Sequence, residues 1–221
     1  MNKMSHPRGF TLIELAVVIL VASLLLAAVL NADNLMRAAR IQDAITMAQD
    51  LSTAVNNFKQ RYHMLPGDLP LTGQIAGVTK PCELTTQKGD GNGLIDSGGN
   101  PAATLGVAAE VQCVPEILFK AGMVNKVDTD LGVSVFHTRF GGRVWVTSVG
   151  SSTVVAALAG AGITFPSSPS VTHVIEFENL PCSAVRDIDR QIDNDNLQTG
   201  RGAASVPACV GENLVSYAIA L

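Results

Sequence analysis

Apolar positions along this chain fall into two regimes. From Phe10 to Leu30 they run almost unbroken, 21 residues with Glu14 as the single charge. From there they recur in steps of three and four, at Leu35, Ala38, Ile41, Ile45, Ala48, Leu51, Val55, Phe58 and Tyr62. Asp33, Arg37, Arg40, Gln42, Asp43, Gln49, Asp50, Asn56, Lys59 and Arg61 fill the gaps. The first run has the length of a membrane-spanning helix, whereas the apolar core of a secretory signal is usually about 7–15 residues. The second is the stripe of an amphipathic helix. No proline interrupts Phe10 to Leu65, so both belong to one helix of about 53 residues, on the order of 80 Å long. Leu65-Pro66-Gly67-Asp68-Leu69-Pro70 ends it, and the small residues Ala16, Ala22, Ser23, Ala27 and Ala28 offer surfaces for close helix packing.

Beyond that stop the period changes. Leu71 to about Thr104 is rich in Gly, Thr and Asn and reads as loop. Val111, Val114, Ile117, Leu118 and Phe119 mark a helix that Gly122 closes. Val133 to Phe140 and Arg143 to Val149 read as a hairpin across Gly141-Gly142. Val154 to Leu158 and Val171 to Phe177 read as two more strands, Val185, Ile188 and Ile192 as a short helix, and Leu214 to Leu221 as a last strand. The expected class is α+β: a long N-terminal helix, half membrane-spanning, packed against an antiparallel β-sheet whose apolar face covers the Leu35 to Tyr62 stripe. The expected segments are 1–9 as leader, 10–30 as spanning helix, 31–65 as its amphipathic continuation, and 66–221 as a globular domain.

Composition fits this plan and removes some alternatives. Of 221 residues, 47% are hydrophobic and 15% charged, which excludes a disordered chain. The formal charge of −4 argues against a protein built to neutralise nucleic-acid phosphates. Arg186, Arg190 and Arg201 are the only nearby basic cluster, and acidic residues lie among them. Lys3 and Arg8 precede the apolar run, and the positive-inside rule keeps them in the cytoplasm, which sends everything past Leu30 across the membrane. A signal-peptidase site at Leu30-Asn31-Ala32 is the rival reading, but Leu30 breaks the small-x-small pattern and Glu14 interrupts the apolar core.

Glu14 is the residue that this plan does not explain, because a carboxylate inside a spanning helix is costly and usually has a partner or a task. Arg8-Gly9-Phe10-Thr11-Leu12-Ile13-Glu14-Leu15, at the head of the apolar run, resembles the cleavage and methylation signal of type IV prepilins and type II secretion pseudopilins. Tyr62-x-x-Leu65-Pro66-Gly67-Asp68 resembles the turn after the long helix in prepilin-like proteins. The resemblance implies that a prepilin peptidase cuts between Gly9 and Phe10 and methylates the new amine. It also implies a pilin-like fold, and assembly with other pilin or pseudopilin subunits through Phe10 and Glu14. The exposed α-ammonium of one subunit would meet Glu14 of the next in a low-dielectric core, a pair that fixes register more than it adds stability. The implied location is the inner membrane, N-terminus inside and globular domain periplasmic, and then a pilus or pseudopilus. Cleavage takes the formal charge from −4 to −6 and leaves 212 residues, larger than compact pilins need. A membrane-anchored periplasmic binding module or adhesin that does not polymerise is the more distant alternative, and neither an enzyme nor a nucleic-acid partner is expected.

Two groups of polar residues carry other chemistry. Asp90, Asn92, the Leu94 carbonyl and Asp96 fall at the third, fifth, seventh and ninth positions of a calcium-binding loop, with Gly93 at the sharp turn. Lys88 and Gly99 stand where two carboxylates belong, and a plain tight turn at Gly91-Asn92-Gly93 is the competing reading, so calcium is a possible cofactor and nothing else is implied. Asp187, Asp189, Asp193, Asn194, Asp195 and Asn196 form a second oxygen-rich stretch, read as solvated surface or a calcium loop. Four cysteines, Cys82, Cys113, Cys182 and Cys209, lie in the exported part, where an even count favours disulfides. Of three pairings, Cys82 with Cys113 and Cys182 with Cys209 are preferred, since each joins sequence neighbours across a Gly-rich loop. The four histidines lack metal-ligand spacing, no GxSxG or phosphate-binding glycine loop occurs, and Ser151-Ser152 has no evident partner.

Overall fold

A computed structural model describes residues 10–69, 75, 82, 89–96, 110–193, 196–206 and 209–221, with side chains at 28–31 excepted. The leader 1–9 and most of the expected loop 71–104 lie outside the described residues. The chain divides into two compact units, 1–39 and 40–221.

The elements are α1 (Leu12–Tyr62), α2 (Glu110–Lys120), β1 (Asp128–Asp130), β2 (Val133–His137), β3 (Arg143–Ser148), α3 (Thr153–Gly160), β4 (His173–Pro181), α4 (Cys182–Asp193), β5 (Gly202–Ala204) and β6 (Leu214–Ala220). A long N-terminal helix followed by a six-stranded antiparallel sheet with helices is an α+β, pilin-like layout. In the first unit, α1 buries none of the described side chains: Leu12, Ile13, Leu15, Val17, Leu20 and Leu24 are all exposed.

In the second unit, α1 buries Ile41, Ala44, Ile45, Ala48, Leu51, Ala54, Val55 and Phe58, the three-and-four spacing of one helical face. The expected stripe began at Leu35, but Leu35 and Ala38 are exposed, so burial starts at Ile41. The helix was expected to reach Leu65 and ends at Tyr62. His63 turns left-handed at φ 57° while its N–H still bonds the Lys59 carbonyl at 2.9 Å. Pro66 then bars the residue before it from helix. Gly67 has φ 100°, and a Cβ there would stand 2.6 Å from the Glu110 carbonyl oxygen, so this turn packs directly on the start of α2.

The sheet order is β1-β2-β3-β4-β6-β5, and every neighbouring pair is antiparallel. The pairings Val144↔Phe177, Val146↔Ile175, Phe177↔Tyr217 and Ile175↔Ile219 line up one face. These residues share one core cluster with the α1 stripe and with Val114, Ile117 and Leu118 of α2. The opposite face carries Val174, Ala203 and Ala218, which cluster with Val154, Leu158 and Phe165.

That second cluster corrects one expectation: Val154 to Leu158 is not a strand but the body of α3. A short apolar run has no period of its own, and here the caps decide. Ser152 Oγ accepts from Val155 N–H at 3.3 Å, and the buried Glu176 carboxylate accepts Thr153 N–H at 3.0 Å and the Ser152 hydroxyl at 2.8 Å. Thr153 also gives its hydroxyl to Glu176. The hairpin is where it was expected, but β2 stops at His137 and Thr138 to Gly142 form the turn, closed by Thr138 N–H to the Gly142 carbonyl at 2.9 Å. The helix over Val185 to Ile192 and the last strand are present as α4 and β6.

Candidate functional site

The first site is built from Thr11, Glu14 and the apolar residues that follow. Leu15 N–H reaches the Thr11 carbonyl at 3.3 Å, so Thr11 is the residue that caps α1. Thr11 N–H and Thr11 Oγ1 both donate to Glu14 Oε2, at 2.9 and 2.8 Å, and Glu14 N–H returns to Thr11 Oγ1 at 3.4 Å. This is a reciprocal capping box, and Thr-x-x-Glu before an apolar run is its sequence signature. Thr11 was the residue missed in reading the sequence, although that signature was present. Both Thr11 donors go to Oε2, so Oε1 is the oxygen left to turn toward another cation. Phe10 stands outside the helix and is 89% exposed. Gly9 lies outside the described residues.

From Leu12 to Leu26 large apolar side chains cover all sides of α1 and none is buried in the chain. Water is an unsuitable medium for such a surface, and by length and composition the helix can cross a membrane. The model of the prokaryotic N-terminal methylation motif matches residues 4–30, which span the expected cleavage point, the capping box and the apolar run. The chain carries the type IV pilin and pseudopilin signature. No curated protein and no solved structure matches the chain. The signature supports a member of the pilin and pseudopilin families, which are structural rather than enzymatic, and implies processing by a prepilin peptidase and assembly with other pilin subunits.

The second site lies in the other unit, around residues 89–96. Asp68 Oδ1 accepts Gly91 N–H at 2.6 Å and Oδ2 accepts Gly93 N–H at 2.7 Å. Glu110, the first residue of α2, accepts Asp90 N–H at 3.1 Å and Asp96 N–H at 2.7 Å. His173 Nε2 accepts Ile95 N–H at 3.2 Å. That bond fixes the tautomer, with Nδ1 carrying the proton toward Thr172 Oγ1 at 2.8 Å. Two carboxylates and one imidazole thus fasten this segment through its backbone.

Burial pushes Glu110 up to about 7, with the Asp68 and Asp90 charges adding to the effect against the two N–H bonds. Burial also raises Asp68, opposed by its bonds from Gly93 and Gly91. His173 is pushed down to about 4, by burial first and the Lys59 ammonium second.

For a hard cation, the oxygens that converge are those of Asp68, Asp90 and Glu110, within 4.8 Å of one another. Of the two carboxylates in the expected calcium series, Asp90 belongs to this group and Asp96 does not. Asn92 turns its amide to Asp90, Leu94 gives its N–H to Asn92, and the Asp96 carboxylate takes hydroxyls from Ser148 and Ser151. Both oxygens of Asp68 and of Glu110 already accept N–H donors, so a cation would compete with the bonds that hold the segment.

The second oxygen-rich stretch divides: Asn196 is exposed and Asp187 half-buried, as a solvated surface would be, whereas Asp189 and Asp193 are tied into the fold. Asp189 is fully buried and accepts the Tyr217 hydroxyl at 2.8 Å. Asp193 Oδ2 accepts Arg201 and Gly202 N–H at 2.5 and 2.8 Å, which ties the end of α4 to β5. Asn194 and Asp195 lie outside the described residues. Cys82 is bonded to Cys113 and Cys182 to Cys209, each pair with Cα atoms 5.3 Å apart.

Proposed function

We propose that this chain is a structural filament subunit, a minor or unusually large type IV pilin. It is held in the inner membrane with its N-terminus cytoplasmic and its globular unit periplasmic. Prepilin peptidase cuts between Gly9 and Phe10, and the chain then enters a pilus through α1. A minor pseudopilin of a type II secretion machine shares the same N-terminal chemistry and is the neighbouring reading. The observation that carries the proposal is the exposed apolar stretch from Leu12 to Leu26, whose one acid, Glu14, sits a single turn from the expected new amine.

The mechanism is the addition of a second partner to Glu14. In the single chain, Thr11 satisfies Glu14 through Oε2. In a stack of staggered helices, an ammonium at Phe10 of the next subunit approaches Oε1, and in the low-dielectric core the pair selects one axial register. Replacing Glu14→Val in cells tests this. The expected outcome is a chain cut and N-methylated at Phe10, shown by mass spectrometry, yet absent from sheared filaments. Incorporation at the wild-type level overturns the proposal, as does a mature chain that starts anywhere but Phe10.

A further inference from the structure

Asn92 and Gly93 sit where three contacts bear on one peptide unit. Gly93 N–H points at Asp68 Oδ2, 2.7 Å away. The Asn92 side-chain carbonyl, Oδ1, accepts Leu94 N–H at 2.7 Å, and its amide nitrogen donates to Asp90 Oδ2 at 2.9 Å. The donor on one side and the acceptor on the other fix which atom of the amide is which. Bonding to the N–H two residues on closes an Asx turn whose ring contains both Asn92 Cγ and the Gly93 nitrogen.

We propose that Asn92 is a self-modifying position, at which the surrounding residues drive loss of the side-chain amide as ammonia. The Gly93 nitrogen attacks Asn92 Cγ, and its proton passes to Asp68 Oδ2. Leu94 N–H receives the negative charge that gathers on Oδ1. The Cγ–Nδ2 bond breaks, and Nδ2 leaves as ammonia with the proton that Asp68 returns, which closes a five-membered succinimide between residues 92 and 93. Water then opens the ring at either carbonyl and leaves aspartate or isoaspartate at position 92. No oxidant or cofactor enters, and water is the only other reactant.

Each part has a physical reason to be there. An amide nitrogen attacks through the lone pair perpendicular to its plane while the proton leaves in the plane, and Asp68 lies along that N–H. Asp68 is 2% exposed, so little water competes for its basic oxygen. Asn92 is exposed, which gives hydrolytic water access. Gly93 has φ 85° and nothing within 4 Å of where a Cβ would stand, so the nitrogen is unhindered. The product places a new carboxylate beside Asp90, at the edge of the Asp68–Asp90–Glu110 trio.

The inference does not depend on the filament reading. Its test is incubation of the full-length chain in detergent micelles in oxygen-18 water, with peptide mass spectrometry at residue 92. A synthetic peptide of residues 89–96 and the Asp68→Asn chain are followed in parallel. Heavy oxygen is expected to enter the folded chain at least about a hundredfold faster than the peptide, the low end of what a positioned base supplies. Asp68→Asn is expected to remove that advantage. If this variant does not fold, the ratio of chain to peptide decides alone. A folded chain no faster than the peptide overturns the proposal, as does a folded Asp68→Asn chain that reacts at the wild-type rate.

Discussion

Glu110 and His173 hold the same short segment from two sides and respond to acid in opposite senses. Glu110, raised to about 7, keeps a proton in the folded chain that the unfolded chain has released at its ordinary value of 4.5. Its contribution is therefore full below 4.5 and lost as pH rises through 7. His173, lowered to about 4 from 6.5, contributes fully above 6.5 and loses that contribution as pH falls through 4. Over the shared window the two slopes oppose. Relative to wild type, Glu110→Gln is expected to lose thermal midpoint as pH is lowered from 6.5 towards 4. His173→Gln is expected to lose midpoint, again relative to wild type, as pH is raised from 4.5 to 7. Unfolding scans across that range read both differences. None of this was legible in the sequence, because Asp68, Glu110 and His173 reach residues 89–96 from separate elements and no local spacing announces the contact. Glu14 was legible, since a lone acid in an apolar run stands out by charge. Its partner Thr11 was equally readable and was hidden by the search for a partner on another chain.

Among elements, those with a long period were legible and those without one were not. The helix α1 declares itself over many turns. By contrast, β1 and β5 are three residues each, Asp128–Asp130 and Gly202–Ala204, with no apolar alternation; only their neighbours β2 and β6 make them strands. The helix α3 was misread because its Val154-Val155 pair favours strands when taken alone, while Ser152 and Glu176 act only once the chain is folded. Ser152→Ala removes the acceptor for Val155 N–H and a hydroxyl donor to the buried Glu176. It is expected to cost about 1–2 kcal/mol, measured as a lowered denaturant midpoint.

For the whole molecule, the disulfides set how the second unit, residues 40–221, resists unfolding. Cys182 begins α4 and Cys209 precedes β6, so their bond closes a loop of sequence separation 27 around α4 and β5. By chain entropy a loop of that size is worth about 3–4 kcal/mol, a large fraction of the stability of an ordinary domain. Replacing Cys182→Ser and Cys209→Ser together is expected to lower the unfolding free energy by about 3 kcal/mol, read from denaturant titration of the full chain in detergent. The expectation of paired cysteines rested on their even count and on where the charges and the apolar run fall, which is why the oxidised state was legible before any contact was known.

The cap at Thr11 has a consequence for access as well as for order. A helix that nucleates on its own threonine holds its first turn there and cannot creep backwards over Phe10. Proteases take their substrates as extended backbone, so an enzyme working up to Phe10 would meet, at Thr11, a boundary that the helix itself has already drawn.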